Sequence, residues 1–518
     1  MARVGRQMIP SILADTIYVE TQPPANRLEV LDWYVLAAYG LLMLGIGWYF
    51  SRRTRTVDDY LLGGRQMRSW TVGLSLFATL LSTISYLATP GEIIRYGPMI
   101  MSGVAAIPLI ILIVGWVLIP AIMKVQVTTA YEILELHLGV SVRVLGSTFF
   151  LAQRLIWMAL IIYATTSKVL VPLLQWPPST VPYVCLALGL FTVVYTSLGG
   201  LRAVVWTDAI QTFILFSGAI LSIVVITSRL GGTQAWLPDQ WPAHWQEPAW
   251  LFEPERITVL GATLALFVFW ICTSGSDQMA IQRYLATRDA KSARHAFLIS
   301  IGTDLLVTWL LAALGLALLA YFKTYSEFAP ERYLVENADE LFPQFIVVGL
   351  PPGVSGLVVA ALLAAAMSSL SSGLNSSCSV ITIDLIQRFR RTTMSDSGQV
   401  LLARTVSVVL GLMVVGLGLL VGAVSGNLLE VAHKTAGLLI GPLFGLFFLA
   451  LFVPGATSRA ALVSAVIGVI TVVLVVYWEP ITGQKGISFI WATPVALVTQ
   501  IMCGVLWSWT EGLFSVKR

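Results

Sequence analysis

The sequence predicts an all-α, polytopic membrane protein, and three observations carry that prediction. Hydrophobic residues make up 57% of the 518 positions and charged ones only 11%, about half the charge of a soluble domain. Apolar blocks of about 20 residues, each long enough to cross roughly 30 Å of hydrocarbon, recur from Leu31 to Trp509. Lys and Arg gather in alternate connections between the blocks.

Thirteen spans are expected: 31–50, 70–94, 99–123, 147–172, 180–198, 204–229, 257–278, 297–322, 352–380, 402–424, 433–453, 460–478 and 488–509. Residues 1–29 hold no long apolar core, so they read as an outer tail without a cleavable signal peptide. Span 1 and an inner loop fill 30–69. Span 2 is small and polar at its middle, Phe77-Ala78-Thr79-Leu80-Leu81-Ser82-Thr83-Ile84-Ser85. Span 7 closes on Cys272-Thr273-Ser274-Gly275-Ser276-Asp277-Gln278. Both have the look of helices broken near mid-membrane, the mark of the first helix in each inverted repeat of a secondary transporter. Five spans counted from each give two units, 70–229 and 257–453, and an odd count forces the opposite orientations that inverted repeats need. Spans 1, 12 and 13 are then peripheral, the last two within 454–518.

Residues 230–256, with Trp236, Trp241, Trp245 and Trp250, read as an outer loop at the interface, where indole rings sit well. Residues 323–350 read as a second outer loop, acidic and partly helical. Segment 381–401 reads as inner and basic. With the N-terminus outside, inner connections collect most of the 31 Lys and Arg, among them Arg52, Arg53, Arg55, Lys124, Arg143, Arg202, Arg283, Arg294, Arg388 and Arg404. The expected topology is N-out, C-in, multi-pass, in the plasma membrane or a bacterial inner membrane.

The net charge of +4 therefore records topology and implies no nucleic-acid partner. The four cysteines, Cys185, Cys272, Cys378 and Cys503, scatter over the spans and suggest neither a disulfide framework nor a metal cluster. No GxxxxGK[ST], HExxH or GxSxG is present. No enzyme is expected, and transport must be secondary or passive.

Span 9 carries Ala365-Ala366-Met367-Ser368-Ser369-Leu370-Ser371-Ser372. Ser368, Ser371 and Ser372 share one helical face, with Ser369 about 100° round. Uncharged hydroxyls suit a small hard cation that must bind and leave; serines in membrane helices also serve close packing. Asp208, inside span 6 near its inner end, is either a functional carboxylate facing the bundle or an aspartate held by the helix dipole.

With Gly199-Gly200-Leu201-Arg202-Ala203, Ala365 to Ser369 followed by Asn375-Ser376-Ser377, Gln282-Arg283-Tyr284-Leu285-Ala286, and Asp58-Asp59-Tyr60-Leu61-Leu62-Gly63-Gly64-Arg65 in that set, the chain resembles the sodium:solute symporter family over roughly residues 30–453. The resemblance implies a LeuT-type bundle of five plus five inverted helices, with about three extra. It implies a sodium site made by the carbonyls of Ala78, Leu81 and Ala365 and the hydroxyls of Ser368 and Ser369. It also implies a second sodium site, present in some members, from Asp208, Ser368, Ser371 and Ser372. Leu80 stands where the proline-carrier branch has an aspartate, which argues against proline-type chemistry.

Arg154 lies deep in span 4, roughly 15 Å from the inner face at 1.5 Å per residue. A buried arginine either clamps a substrate carboxylate or pairs with an acid such as Asp304 or Asp277. Arg154, Ser82, Thr83, Asp277 and Gln278 are the candidate solute contacts. Glu92 and Arg95, three apart, are expected to pair with each other. The expected function is sodium-coupled symport of a small organic solute, first an anionic carboxylate and second a neutral sugar or polyol, using two sodium ions. A passive channel is the rival from another class.

Overall fold

The computed structural model describes residues 28–251, 255–329, 331–390, 394–421, 428–484 and 488–515, so nearly all of the expected outer tail lies outside it. Helices dominate throughout, and no strand occurs among the described residues. Among the described residues ten helices are long and apolar enough to cross a membrane, and the bent pair Ser69–Leu80 and Thr83–Tyr96 adds an eleventh span. Spans 5 and 6 are continuous in one helix, Val181–Leu230, turned at Gly200. Gly200 has φ +61°, and a Cβ there would lie 2.6 Å from the Tyr60 carbonyl oxygen, so only glycine serves at this bend. Tyr60 fixes the same corner by donating to the Ser197 carbonyl at 2.9 Å.

The two predicted breaks are real and nearly identical. Leu81 ends its half-helix at φ −80°, ψ 121°; Asp277 ends the helix Val259–Ser276 at φ −77°, ψ 123°. Each residue donates its own amide to the carbonyl four residues back, Phe77 and Thr273. Each following half-helix is capped by a side chain. Ser82 accepts from the Ser85 amide at 3.2 Å, and Asp277 accepts from the Met279 amide at 2.8 Å. The first pair meets at 65°.

The helix Ala290–Thr324 runs beside the broken pair in the same direction. Gly73 and Gly315 permit the approach: their Cβ atoms would lie 2.7 Å from the Ala296 carbonyl and 2.9 Å from the Pro90 carbonyl. At the centre stands the serine helix Val354–Val380, whose residues from Ala364 to Val380 are all buried. Its first turn is capped from outside. The Oδ1 of Asp32, on the first helix Val30–Ser51, accepts from the amides of Gly353 and Gly356, both at 2.7 Å.

One end of the bundle is tied by ions. Arg143 reaches Asp384 and Glu135, each at 2.6 Å, and Arg388 reaches Glu135 at 2.7 Å. Hydrogen bonds from Arg388 and Arg143 hold the Glu135 carboxyl down at about 2. The opposite end carries the tryptophan-rich loop, which differs from the interfacial expectation. Trp250 is exposed, but Trp245 is buried and donates its indole N–H to the Ile94 carbonyl at 3.0 Å. The loop therefore caps the last turn of Thr83–Tyr96, where main-chain carbonyls lack helical donors. At this end Glu92 pairs with Arg256 rather than Arg95, and Arg95 lies over the Tyr96 ring. Sequence spacing favoured the local pair; the loop brings a better-placed guanidinium from 164 residues away.

Candidate functional site

The break in Ser69–Tyr96 releases backbone acceptors beside the serine helix. The Ser85 amide is taken by Ser82, so the Leu81 carbonyl has no helical donor. The Ser369 hydroxyl instead meets the Leu81 carbonyl at 2.9 Å and that of Thr79 at 3.2 Å. The Ser368 hydroxyl meets the Ala78 carbonyl at 2.8 Å and that of Ala365 at 3.2 Å. The five oxygens of the expected first site thus lie in two buried groups on neighbouring residues, Ser368 with Ala78 and Ala365, and Ser369 with Leu81. A hydroxyl that donates to a carbonyl can turn its proton away and offer a lone pair. The same contacts therefore suit a cation coordinated by neutral oxygens.

The expected second site is more crowded. Asp208 is fully buried, and its Oδ2 accepts from Ser75 at 2.6 Å, Ser372 at 3.1 Å and Arg283 at 3.1 Å. Its Oδ1 has no hydrogen-bond partner, so one carboxylate oxygen is left for a further ligand. Ser371 lies one residue before Ser372 but spends its hydroxyl on the Ser368 carbonyl at 3.1 Å. Asp208 and Ser372 meet directly; Ser368 faces the first site and Ser371 lies between.

Arg283 is the correction here. It was expected in a basic inner connection, yet it is wholly buried. Its guanidinium donates to Asp208, to Ser75 at 2.9 Å, to Ser372 at 2.5 Å and to the Met279 carbonyl at 2.9 Å. A buried guanidinium survives only with a counter-charge and full hydrogen bonding, and Asp208 supplies the charge. Ser75 and Thr79 also belong to this network, Thr79 donating to Ser372 at 2.9 Å. The sequence signal for Arg283 was its place inside the Gln282–Ala286 motif.

A cavity of about 280 Å³ opens beside the break. Thr79, Leu80, Leu81 and Ser85 form one wall; Gln153, Arg154 and Trp157 form another. Phe269, Trp270, Thr273, Asp277, Asp304 and Thr308 line the rest, and the cavity extends toward Glu92 and Phe489 at the tryptophan-loop end. Arg154 pairs with Asp277, and its Nε has no hydrogen-bond partner. Of the five candidate solute contacts, Arg154 and Asp277 line the cavity. Ser82 caps a half-helix. Thr83 donates to the Leu362 carbonyl at 2.9 Å. Gln278 accepts from the Ala130 amide at 2.7 Å and donates to Ser379 at 3.0 Å. Thr83 and Gln278 thus tie helices together, and Ser82 is spent on its own half-helix.

Comparison with known proteins shows the family and the fold. A profile of the Sodium:solute symporter family matches residues 60–468. The chain is 30% identical over 459 residues to the sodium/sialic acid symporter NanT of Aliivibrio fischeri, covering 87% of this chain and 88% of that protein. It is 29% identical over 466 residues to the sodium-coupled monocarboxylate transporter 1 of Homo sapiens, covering 87% of this chain and 74% of that one. The solved structure of a Na+-coupled sialic acid symporter, substrate-bound and outward-open, superposes with TM-score 0.79 at 27% identity, over 93% of this chain and 98% of that one. Mhp1, a nucleobase-cation-symport-1 family transporter, shares the fold at TM-score 0.52 and 13% identity, over 88% of this chain and 94% of its own. The architecture is the LeuT-type bundle of inverted repeats.

Proposed function

This chain belongs to the sodium:solute symporter family, and on that footing we propose that it imports a small carboxylate-bearing solute by sodium-coupled alternating access. The observation that carries the reading is the meeting of the Ser368 and Ser369 hydroxyls with carbonyls freed at the helix break. Neutral oxygens bind a monovalent cation without trapping it. A second sodium ion, weaker than the first, uses the open Oδ1 of Asp208 with Ser371 and Ser372. Arg283 already takes part of that carboxylate's charge, which is why the second ion is the weaker.

Arg154 anchors the solute carboxylate through the donors that Asp277 leaves free. The relatives that handle sialic acid and monocarboxylates support this choice. The Arg154–Asp277 pair also favours a second reading, a neutral polyol that hydrogen-bonds to both partners. The cavity end with Glu92 and Trp245 is the outer end in the N-out, C-in topology, and the Arg143–Asp384 end faces the cytoplasm.

Each sodium entering down about 100 mV and a tenfold gradient supplies roughly 2.3 plus 1.4 kcal/mol. Uptake into proteoliposomes tests the reading: labelled carboxylate accumulates when sodium is outside, and unlabelled carboxylate drives sodium-dependent counterflow. Equal uptake with potassium or choline in place of sodium, or leak without counterflow, overturns it in favour of a channel.

A further inference from the structure

Beyond the paired charges, the cavity holds one carboxylate with nothing to balance it. Asp304, on the helix Ala290–Thr324, lines the same cavity as Arg154 and Asp277. Among the described residues it makes no hydrogen bond and no ion pair. The other charged groups of the cavity wall are matched, Arg154 with Asp277 and Glu92 with Arg256.

Its depth follows from the packing. This helix touches Gly73 at Ala296 and Ile299, and touches Pro90 at Gly315. Asp304 lies between those contacts, level with the break near Leu80. An ionisable side chain at mid-membrane facing a cavity marks a ligand path. A carboxylate there with no partner is open to a cationic ligand.

The wall that Asp304 shares is mixed: Thr308 stands one turn on, Thr79, Ser85 and Thr273 add hydroxyls, and Leu305, Leu311, Phe269 and Trp270 supply apolar and aromatic surface. Aromatic and aliphatic walls around one carboxylate suit an ammonium group on a carbon skeleton, through charge, hydrogen bonding and ring faces.

We propose that Asp304 receives a cationic nitrogen of the transported solute, so that the cavity takes a zwitterion with its carboxylate at Arg154 and its ammonium group at Asp304. This rests on the carboxylate reading above and narrows it from simple carboxylates to amino-carboxylates. The solute is then neutral overall, and each sodium ion carried with it appears as one charge of inward current.

The test uses purified full-length protein in lipid nanodiscs with sodium, titrated with matched acids: propionate against alanine, butyrate against 4-aminobutyrate, hexanoate against 6-aminohexanoate. At least one aminated acid should bind tenfold or more tightly than its deaminated partner. In D304N that ratio should fall to near one, while D304E should keep it. D304N should also melt no lower than the wild type, since it removes a cavity-lining carboxylate that has no partner. Deaminated acids binding as well as aminated ones, or an amine preference that survives in D304N, overturns the proposal. Should D304N fail to fold, a D304E protein that shows no amine preference overturns it equally. Sodium-dependent binding of sugars with no response to any of the six acids overturns the carboxylate reading and this one with it.

Discussion

Removing the Ser369 hydroxyl tests the proposed first cation site, because Ser369→Ala deletes one of its five oxygens and adds no bulk. The hydroxyl lies 2.9 Å from the Leu81 carbonyl and 3.2 Å from that of Thr79. Leaving a buried polar partner unsatisfied costs about 1–3 kcal/mol, and 1.4 kcal/mol is tenfold in an equilibrium constant. If the whole loss fell on the ion-bound form, the sodium half-saturation would rise roughly 5- to 150-fold. The ion-free form loses the same hydroxyl's bonds to the two carbonyls, which offsets part of that. An increase on the order of tenfold is therefore expected. The assay is a sodium titration of initial uptake in proteoliposomes with the membrane potential clamped, beside a titration of sodium-dependent thermal stabilisation. Both should shift together while expression stays normal. A half-saturation equal to that of the wild type would refute the argument that these carbonyls and hydroxyls hold the ion.

Asp208→Asn leaves the Arg283 guanidinium buried without its counter-charge, so unfolding should become easier by about 3–5 kcal/mol, and the double variant with Arg283→Gln should recover most of it. Denaturation of the two singles and the double measures that coupling, and additive losses would contradict the pairing. In the same Asp208→Asn protein the Hill coefficient for sodium should fall from near two toward one; a wild-type coefficient of one would remove the second ion. Arg154→Lys keeps the charge but loses the planar fork, so solute affinity should drop at least tenfold, and transport that survives Arg154→Ala would favour the polyol reading. At the opposite end, the Glu135 carboxyl is held at about 2, below its ordinary 4.5, by Arg388 and Arg143. The stabilisation it provides is present above pH 4.5 and disappears as pH falls toward 2. The melting-temperature gap between wild type and Glu135→Gln should accordingly be constant from pH 5 to 8 and close in acid; a gap that closes near neutrality would disprove the assignment.

Much of this molecule could be read from its sequence because the informative signals are periodic or local. Serines at helical spacing put Ser368 and Ser372 on a common face. Small and polar residues, at the centre of span 2 and at the end of span 7, marked the two breaks. Arg283 was hidden because its meaning depends on Asp208, 75 residues upstream. In the linear sequence a polar Gln-Arg pair after an apolar span looks like a loop. Ser82, Thr83 and Gln278 misled in the opposite sense. They sit in polar stretches beside the breaks, but caps and helix contacts consume them, and only three-dimensional packing tells a cap from a ligand contact. Trp245 shows the same limit, since composition places an indole near an interface and cannot say that it has folded inward onto Ile94.

The first helix, Val30–Ser51, precedes both of the repeats expected from the sequence, which would make it the obvious segment to discard when trimming the chain to ten helices. Asp32 argues against that surgery. Its carboxylate accepts from the first amides of the serine helix, the service an N-cap side chain performs, whose loss elsewhere costs about 0.5–2 kcal/mol. One turn of that helix reads frayed or ordered according to a residue more than 300 positions away. The same first helix also brings the Tyr39 hydroxyl to the Met367 sulfur at 3.5 Å, beside Ser368. The first helix therefore braces the serine-bearing turn, and a chain shortened by that helix would need another cap for it.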